Sequence, residues 1–192
     1  MLLLADGAPM NKKSQGWLKD LFSLGQKRQA LEAEKLYTVA TRLARRPVFY
    51  QKFGVQDTVD GRFDALSLIV ILIMRRLKNC GQEGKEISQQ LFDSMFADMD
   101  LSLREMGAGD IGVSKRVRVM AEAFMGRLDA YVSALEDNDR TALAAALKRN
   151  LFRDDELIDP IKNGVVDYVF ALAKEITNLD SSQLLSGNID LS

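Results

Sequence analysis

The stretch DGRFDALSLIVILIMRRLKNC, residues 60–80, decides the fold. Its middle, Leu66–Met74, is a run of apolar side chains interrupted only by Ser67. Spanning a bilayer takes about 20 apolar residues, so this run is too short to be a membrane helix. It is longer than a strand and ends in a charged RRLKN segment. A helix that is apolar on every side must be surrounded by other helices. The stretch therefore predicts a buried central helix over about 61–79, opened by the turn Asp57–Gly61, and an all-α fold around it.

The sequence on both sides fits that scaffold. The chain has 192 residues, 47% hydrophobic and 28% charged, which suits one domain with a substantial core. Pro9, Pro47 and Pro160 all fall at candidate segment starts and leave long stretches free to be helical. A short amphipathic helix is expected over 14–24, carrying Trp17, Leu18, Leu21, Phe22 and Leu24. A second is expected over 29–46, with Leu36, Val39, Ala40 and Leu43 on one stripe. Pro47 ends it and opens a turn closed by Gly54. Residues 85–98 read as a helix with Ile87, Leu91 and Met95 inward. Ser102 and Glu105 have the spacing of a capping box, opening a short turn that Gly107 closes. Residues 113–136 repeat apolar side chains at steps of three and four, from Val113 to Leu135. An alanine-rich helix is expected over 140–150, and a last one opens at Pro160. The expectation is a single compact bundle of about eight helices over 14–177, preceded by a disordered segment 1–13 and followed by a flexible tail 178–192.

Composition removes several classes of function. There is no histidine, so the commonest general base and metal ligand are missing. One cysteine, Cys80, permits no internal disulfide, and neither GxxxxGK nor GxGxxG occurs. No enzyme activity, metal or cofactor is expected. Net charge is −1, yet residues 1–50 hold nine Lys/Arg against four Asp/Glu, and residues 151–192 hold three against eight. This polarity suits a protein partner or an anionic membrane surface and does not suit DNA. The opening MLLLADGAP lacks the length and preceding charge of a signal peptide. A cytoplasmic protein that neither enters nor crosses a membrane by itself is expected.

The candidate interface is LFDSMFADMDLSLREMGAGDIGVSKRVRVMAEAFMGR, residues 91–127. Asp93, Asp98 and Asp100 lack the spacing of a calcium loop, and Asp100 and Asp110 suit helix N-caps. Arg104, beside Glu105 and Met106, suits planar contacts at an interface. Lys115, Arg116 and Arg118 stand near a helix start, where cations are unfavourable unless something offsets them. Five of the eight methionines, including Met99 and Met106, fall between Met95 and Met125, and methionine adapts to irregular apolar partners.

DGRFDAL (60–66), the 91–127 segment, YVSAL (131–135) and LKRN (147–150) together resemble the ubiquinol–cytochrome c chaperone family, over roughly residues 30–175. The resemblance implies an all-helical, non-enzymatic assembly factor for complex III that binds newly made cytochrome b. It also implies work near the ribosome and with a small partner subunit. The matched positions are Asp60, Arg62, Phe63, Asp98, Asp100, Leu103, Arg104, Glu105, Met106, Gly107, Gly109, Asp110, Lys115 and Arg127. From them and their neighbours, the expected partner-binding set is Arg62, Phe63, Asp98, Met99, Asp100, Arg104, Glu105, Met106, Asp110, Lys115 and Arg116. A peripheral lipid-binding scaffold is the alternative reading of the same basic residues.

Overall fold

The computed structural model describes residues 12–191 apart from 108, 154 and 157, with the side chains of the first helix described from residue 27 onward. Seven helices follow in order: α1 Lys12–Ala44, α2 Val59–Leu77, α3 Gly81–Glu105, α4 Asp110–Glu136, α5 Arg140–Leu151, α6 Val165–Thr177 and α7 Ser181–Leu185. One wide helical turn, Val48–Lys52, separates α1 from α2. The described residues contain no strand, and the fold is all-α as expected.

Helix α2 is the axis of the bundle. Every residue from Phe63 to Ile73 is buried, and α1, α3, α4, α5 and α6 all pack on it. Each Leu, Ile or Val fully removed from water contributes about 1.5–3 kcal/mol before chain entropy is counted. Thr58 starts the helix: its backbone is extended and its Oγ1 accepts from the Gly61 amide at 3.1 Å. Gly61 is required because the chain folds back on itself there. A Cβ at that position would lie 2.0 Å from the Gln56 carbonyl oxygen. At the far end Arg76 donates to the carbonyls of Thr177 and Leu179 at 3.1 and 2.9 Å, tying α2 to the α6–α7 junction.

One carboxylate sits inside this apolar helix. Asp64 has no solvent exposure. Arg127 of α4 reaches it at 2.7 Å, and Arg153, just after α5, binds it through two nitrogens at 3.0 and 3.1 Å. Burial pushes the Asp64 carboxyl above the usual carboxylate range, while the two guanidiniums pull against that shift. Arg127 also lies over the Phe63 ring, 5.5 Å from its centroid. Asp60, one turn earlier, extends the cluster to Arg153 at 3.6 Å and to Arg116 at 2.8 Å.

Several expected boundaries differ. The helices expected over 14–24 and 29–46 are the single helix α1; no proline intervenes, and an isolated Gly25 costs only about 1 kcal/mol. Residues 12 and 13 belong to α1, and the expected disorder of 1–11 lies outside the described residues. The helix expected to stop at 98 runs on to Glu105, so the Ser102–Glu105 capping box is unused and Asp100 is an interior residue. At α4 the N-cap is Gly109, and Asp110 is the first helical residue, where an acid favours the helix dipole. Pro160 opens a turn rather than a helix: α6 starts at Val165, after Gly164 in the left-handed conformation at φ 85°. The segment 178–192, expected to be a loose tail, contains α7 and buries Leu184, Ile189 and Leu191. Arg46 donates to the Leu191 carbonyl at 2.8 Å, and Gly187 approaches the Glu32 carbonyl so closely that a Cβ would lie 2.6 Å from it.

Two substitutions test this frame. Asp64→Ala leaves buried Arg127 without its counter-charge and is expected to lower unfolding free energy by about 3 kcal/mol in urea titration. Gly61→Ala forces the Gln56–Gly61 turn apart and is expected to lower the thermal midpoint by several degrees, since 1 kcal/mol shifts a domain of this size by roughly 2–4 °C.

Candidate functional site

The C-terminal half of α3 carries Asp98, Met99, Ser102 and Glu105 along one stripe, at the i, i+4, i+7 spacing of a helix face, and its C-cap Met106 continues it. This stripe meets α1, the wide turn and the start of α2. Together they enclose a cavity of about 330 Å³. Six residues of the expected partner-binding set line it: Arg62, Phe63, Asp98, Met99, Glu105 and Met106. Two stretches of the chain at least 35 positions apart, 62–63 and 98–106, are thus brought to one place.

The cavity has a fixed floor and a wet rim. Phe63 is buried, edge-on to Phe96 with centroids 6.3 Å apart, so it supports the site from below and does not reach a partner. Met99 is half-buried and Met106 is exposed at the mouth. Tyr37 of α1 donates to Asp98 Oδ2 at 2.6 Å, and burial followed by the Asp98 carboxylate holds the phenol well above its ordinary pKa. Arg62 is engaged with Asp57 at 2.7 Å, and that bond holds the Asp57 carboxyl below the usual range. Arg45 and Glu105 line the cavity with opposite charge and have no ion-pair partner among the described residues.

The remaining expected residues form a separate cluster on the α3–α4 corner. Arg104 binds Asp100 at 2.5 Å and also Asp110, bracing the end of α3 to the start of α4. Both acids hold the guanidinium in its charged form. Arg104 is therefore occupied by its own chain and is not a free contact arm. Arg116 is likewise taken by Asp60, and Arg118 by Glu122 at 3.0 Å. The offset expected for cations at the start of α4 comes from these acids. Lys115 stands exposed, without an ion-pair partner among the described residues, and neither it nor Arg116 lines the cavity. The methionines divide: Met95 and Met120 are core, Met99 is intermediate, and Met106 and Met125 are exposed.

Among the described residues the corner exposes large apolar side chains at Leu101, Met106 and Ile111, with Ile111 at 89% exposure. Exposed apolar side chains gathered in one region mark interaction surfaces. Two features escaped sequence reasoning. Asp64 lies in the same DGRFDAL string as Asp60, but its burial depends on arginines 63 and 89 residues away. A larger trough of about 660 Å³ lies at the other end of α3, between α3 and α4. Its signal was the i, i+3, i+4, i+7 spacing of Lys85, Ser88, Gln89 and Phe92. Among the described residues no acid, cysteine or histidine group is arranged to hold a metal, and no helix is long and apolar enough to cross a membrane.

Comparison with known proteins agrees with this all-helical architecture. Residues 51–191 match the family described as ubiquinol-cytochrome C chaperone. The chain is 29% identical over 156 residues to the ubiquinol-cytochrome-c reductase complex assembly factor 1 of Xenopus laevis, covering 81% of this chain and 77% of that protein. It is 26% identical over 164 residues to the mouse protein of the same name, covering 83% of this chain and 54% of the mouse protein. The crystal structure of the Cbp3 homolog from Brucella abortus superposes with a TM-score of 0.78 at 36% identity, over 91% of this chain and 96% of that one. The chain belongs to the ubiquinol–cytochrome c chaperone family.

Proposed function

We propose that this protein is a non-enzymatic chaperone for assembly of ubiquinol–cytochrome c reductase, complex III, and that it holds newly made cytochrome b at the cavity between α1, α2 and α3. One observation carries the proposal of the site: six residues chosen from sequence for partner binding converge on this cavity, beside the exposed apolar corner. A client not yet assembled exposes apolar helix surface that needs temporary cover. Met99 and Met106 supply adaptable apolar contact, because an unbranched thioether side chain fits many shapes. Arg45 and Glu105, without an ion-pair partner among the described residues, supply charges that fix the orientation of the client. The brace of Asp100, Arg104 and Asp110 keeps the end of α3 in place while the client is held. The protein works peripherally at the membrane surface where cytochrome b is inserted.

Met106→Glu places a charge at the exposed mouth and is expected to remove cytochrome b from complexes purified out of native membranes by about tenfold or more, with thermal stability unchanged. Arg104→Ala, which removes a brace rather than a contact, is expected to weaken recovery of cytochrome b less than Met106→Glu. A strain lacking the protein is expected to lose haem-loaded cytochrome b, and one that keeps the full amount contradicts the assembly role.

A further inference from the structure

The trough at the other end of α3 shares no lining residue with the cytochrome b cavity. Helices α3 and α4 are packed tightly at Phe92, Phe96 and Phe124, with ring centroids 5.4 Å apart for Phe92–Phe124 and 6.0 Å for Phe96–Phe124. Beyond Phe92 the space between them opens into about 660 Å³. Met74 of α2, Phe92 of α3 and Leu128 and Val132 of α4 give it an apolar floor, and Met125 stands 49% exposed on its lip. The α4 wall runs from Met125 to Glu136, about 16 Å or three helical turns at 1.5 Å per residue. Two helical walls with an apolar floor between them form a seat for a third helix.

The rim identifies what kind of helix. Lys85 lines the α3 wall and Asp129 the α4 wall, both exposed and neither ion-paired among the described residues. Lys78, at the C-terminal end of α2, pairs with Glu136 of α4 at 3.7 Å and closes the far end, where Arg75 of α2 also lines the trough. Among the described residues the α3 wall thus carries one unpaired cation, Lys85, and the α4 wall one unpaired anion, Asp129. An uncharged, membrane-spanning helix laid here would cover Lys85 and Asp129 with hydrocarbon and leave both without a partner. We infer that the trough receives an amphipathic helix of a protein partner other than cytochrome b, with acidic side chains along its α3 edge and basic side chains along its α4 edge. The chaperone then engages two helices at once, one at each end of α3.

The test uses the full chain and a fluorescein-labelled amphipathic peptide of about four helical turns, with leucines at i, i+3, i+4 and i+7, glutamates on one flank and lysines on the other. Fluorescence anisotropy is expected to show binding that Met125→Glu weakens by about tenfold or more, while Met106→Glu leaves it unchanged. The double variant Lys85→Glu with Asp129→Lys is expected to prefer a peptide whose two flanks are exchanged. All substituted side chains are exposed, so thermal midpoints stay at the parent value and confirm folding. Equal affinity for both peptides and all variants overturns the inference, as does equally tight binding of a peptide with uncharged flanks. Binding that appears only after residues 1–11 are removed assigns the trough to the chain's own N-terminal segment and also overturns it.

Discussion

A carboxylate with no access to water, set in the most apolar helix of the chain, constrains much of the arrangement around it. Asp64 is held inside only because α4 delivers Arg127 and the segment after α5 delivers Arg153. Burying a charge without such partners is costly, so α2, α4 and Arg153 just after α5 are fixed relative to one another. The pair adds a point constraint to packing, because α4 cannot shift along α2 without separating Arg127 from Asp64. The ion cluster sets the register. It also reaches the cavity: Phe63, adjacent to Asp64, forms its floor, and Asp60 holds Arg116 at the start of α4.

The fold class was legible because one signal dominated. The run from Leu66 to Met74 is helical in length and apolar all round, and it had to be enclosed. The stripe from Val113 to Leu135 was also readable, and Val113, Phe124 and Tyr131 are fully buried. Helix ends were less legible. Ser102 and Glu105 have capping-box spacing, but α3 was already propagating, and adding a residue to a formed helix is easier than nucleating a new one. The docking of 178–192 depends on Arg46 and on close approach to Glu32, which only the folded chain brings together.

The site was partly legible for a related reason. Residue types suited to an interface were chosen as a neighbourhood, and six of them line one cavity. Which side chain faces a partner and which faces its own chain depends on geometry that spacing does not encode. Arg104 looked like an anchor, yet Asp100 and Asp110 already satisfy it. Phe63 looked like a contact, yet Phe96 and Arg127 cover it. Among the described residues, Arg45 and Glu105 at the cavity and Lys85 and Asp129 at the trough have no ion-pair partner, and Met106 is exposed. The scaffold is internally paired and leaves a small set of apolar and charged groups exposed for the proposed client. This arrangement fits reversible shielding, in which the client must later leave.

The account depends most on where cytochrome b sits. A photo-crosslinking amino acid placed in turn at Met106, at Lys115 and at Ser133, in cells making cytochrome b, locates it directly. The predicted result is a cytochrome b adduct from position 106 and none from 115 or 133. Adducts from 115 or 133 with none from 106 contradict the account.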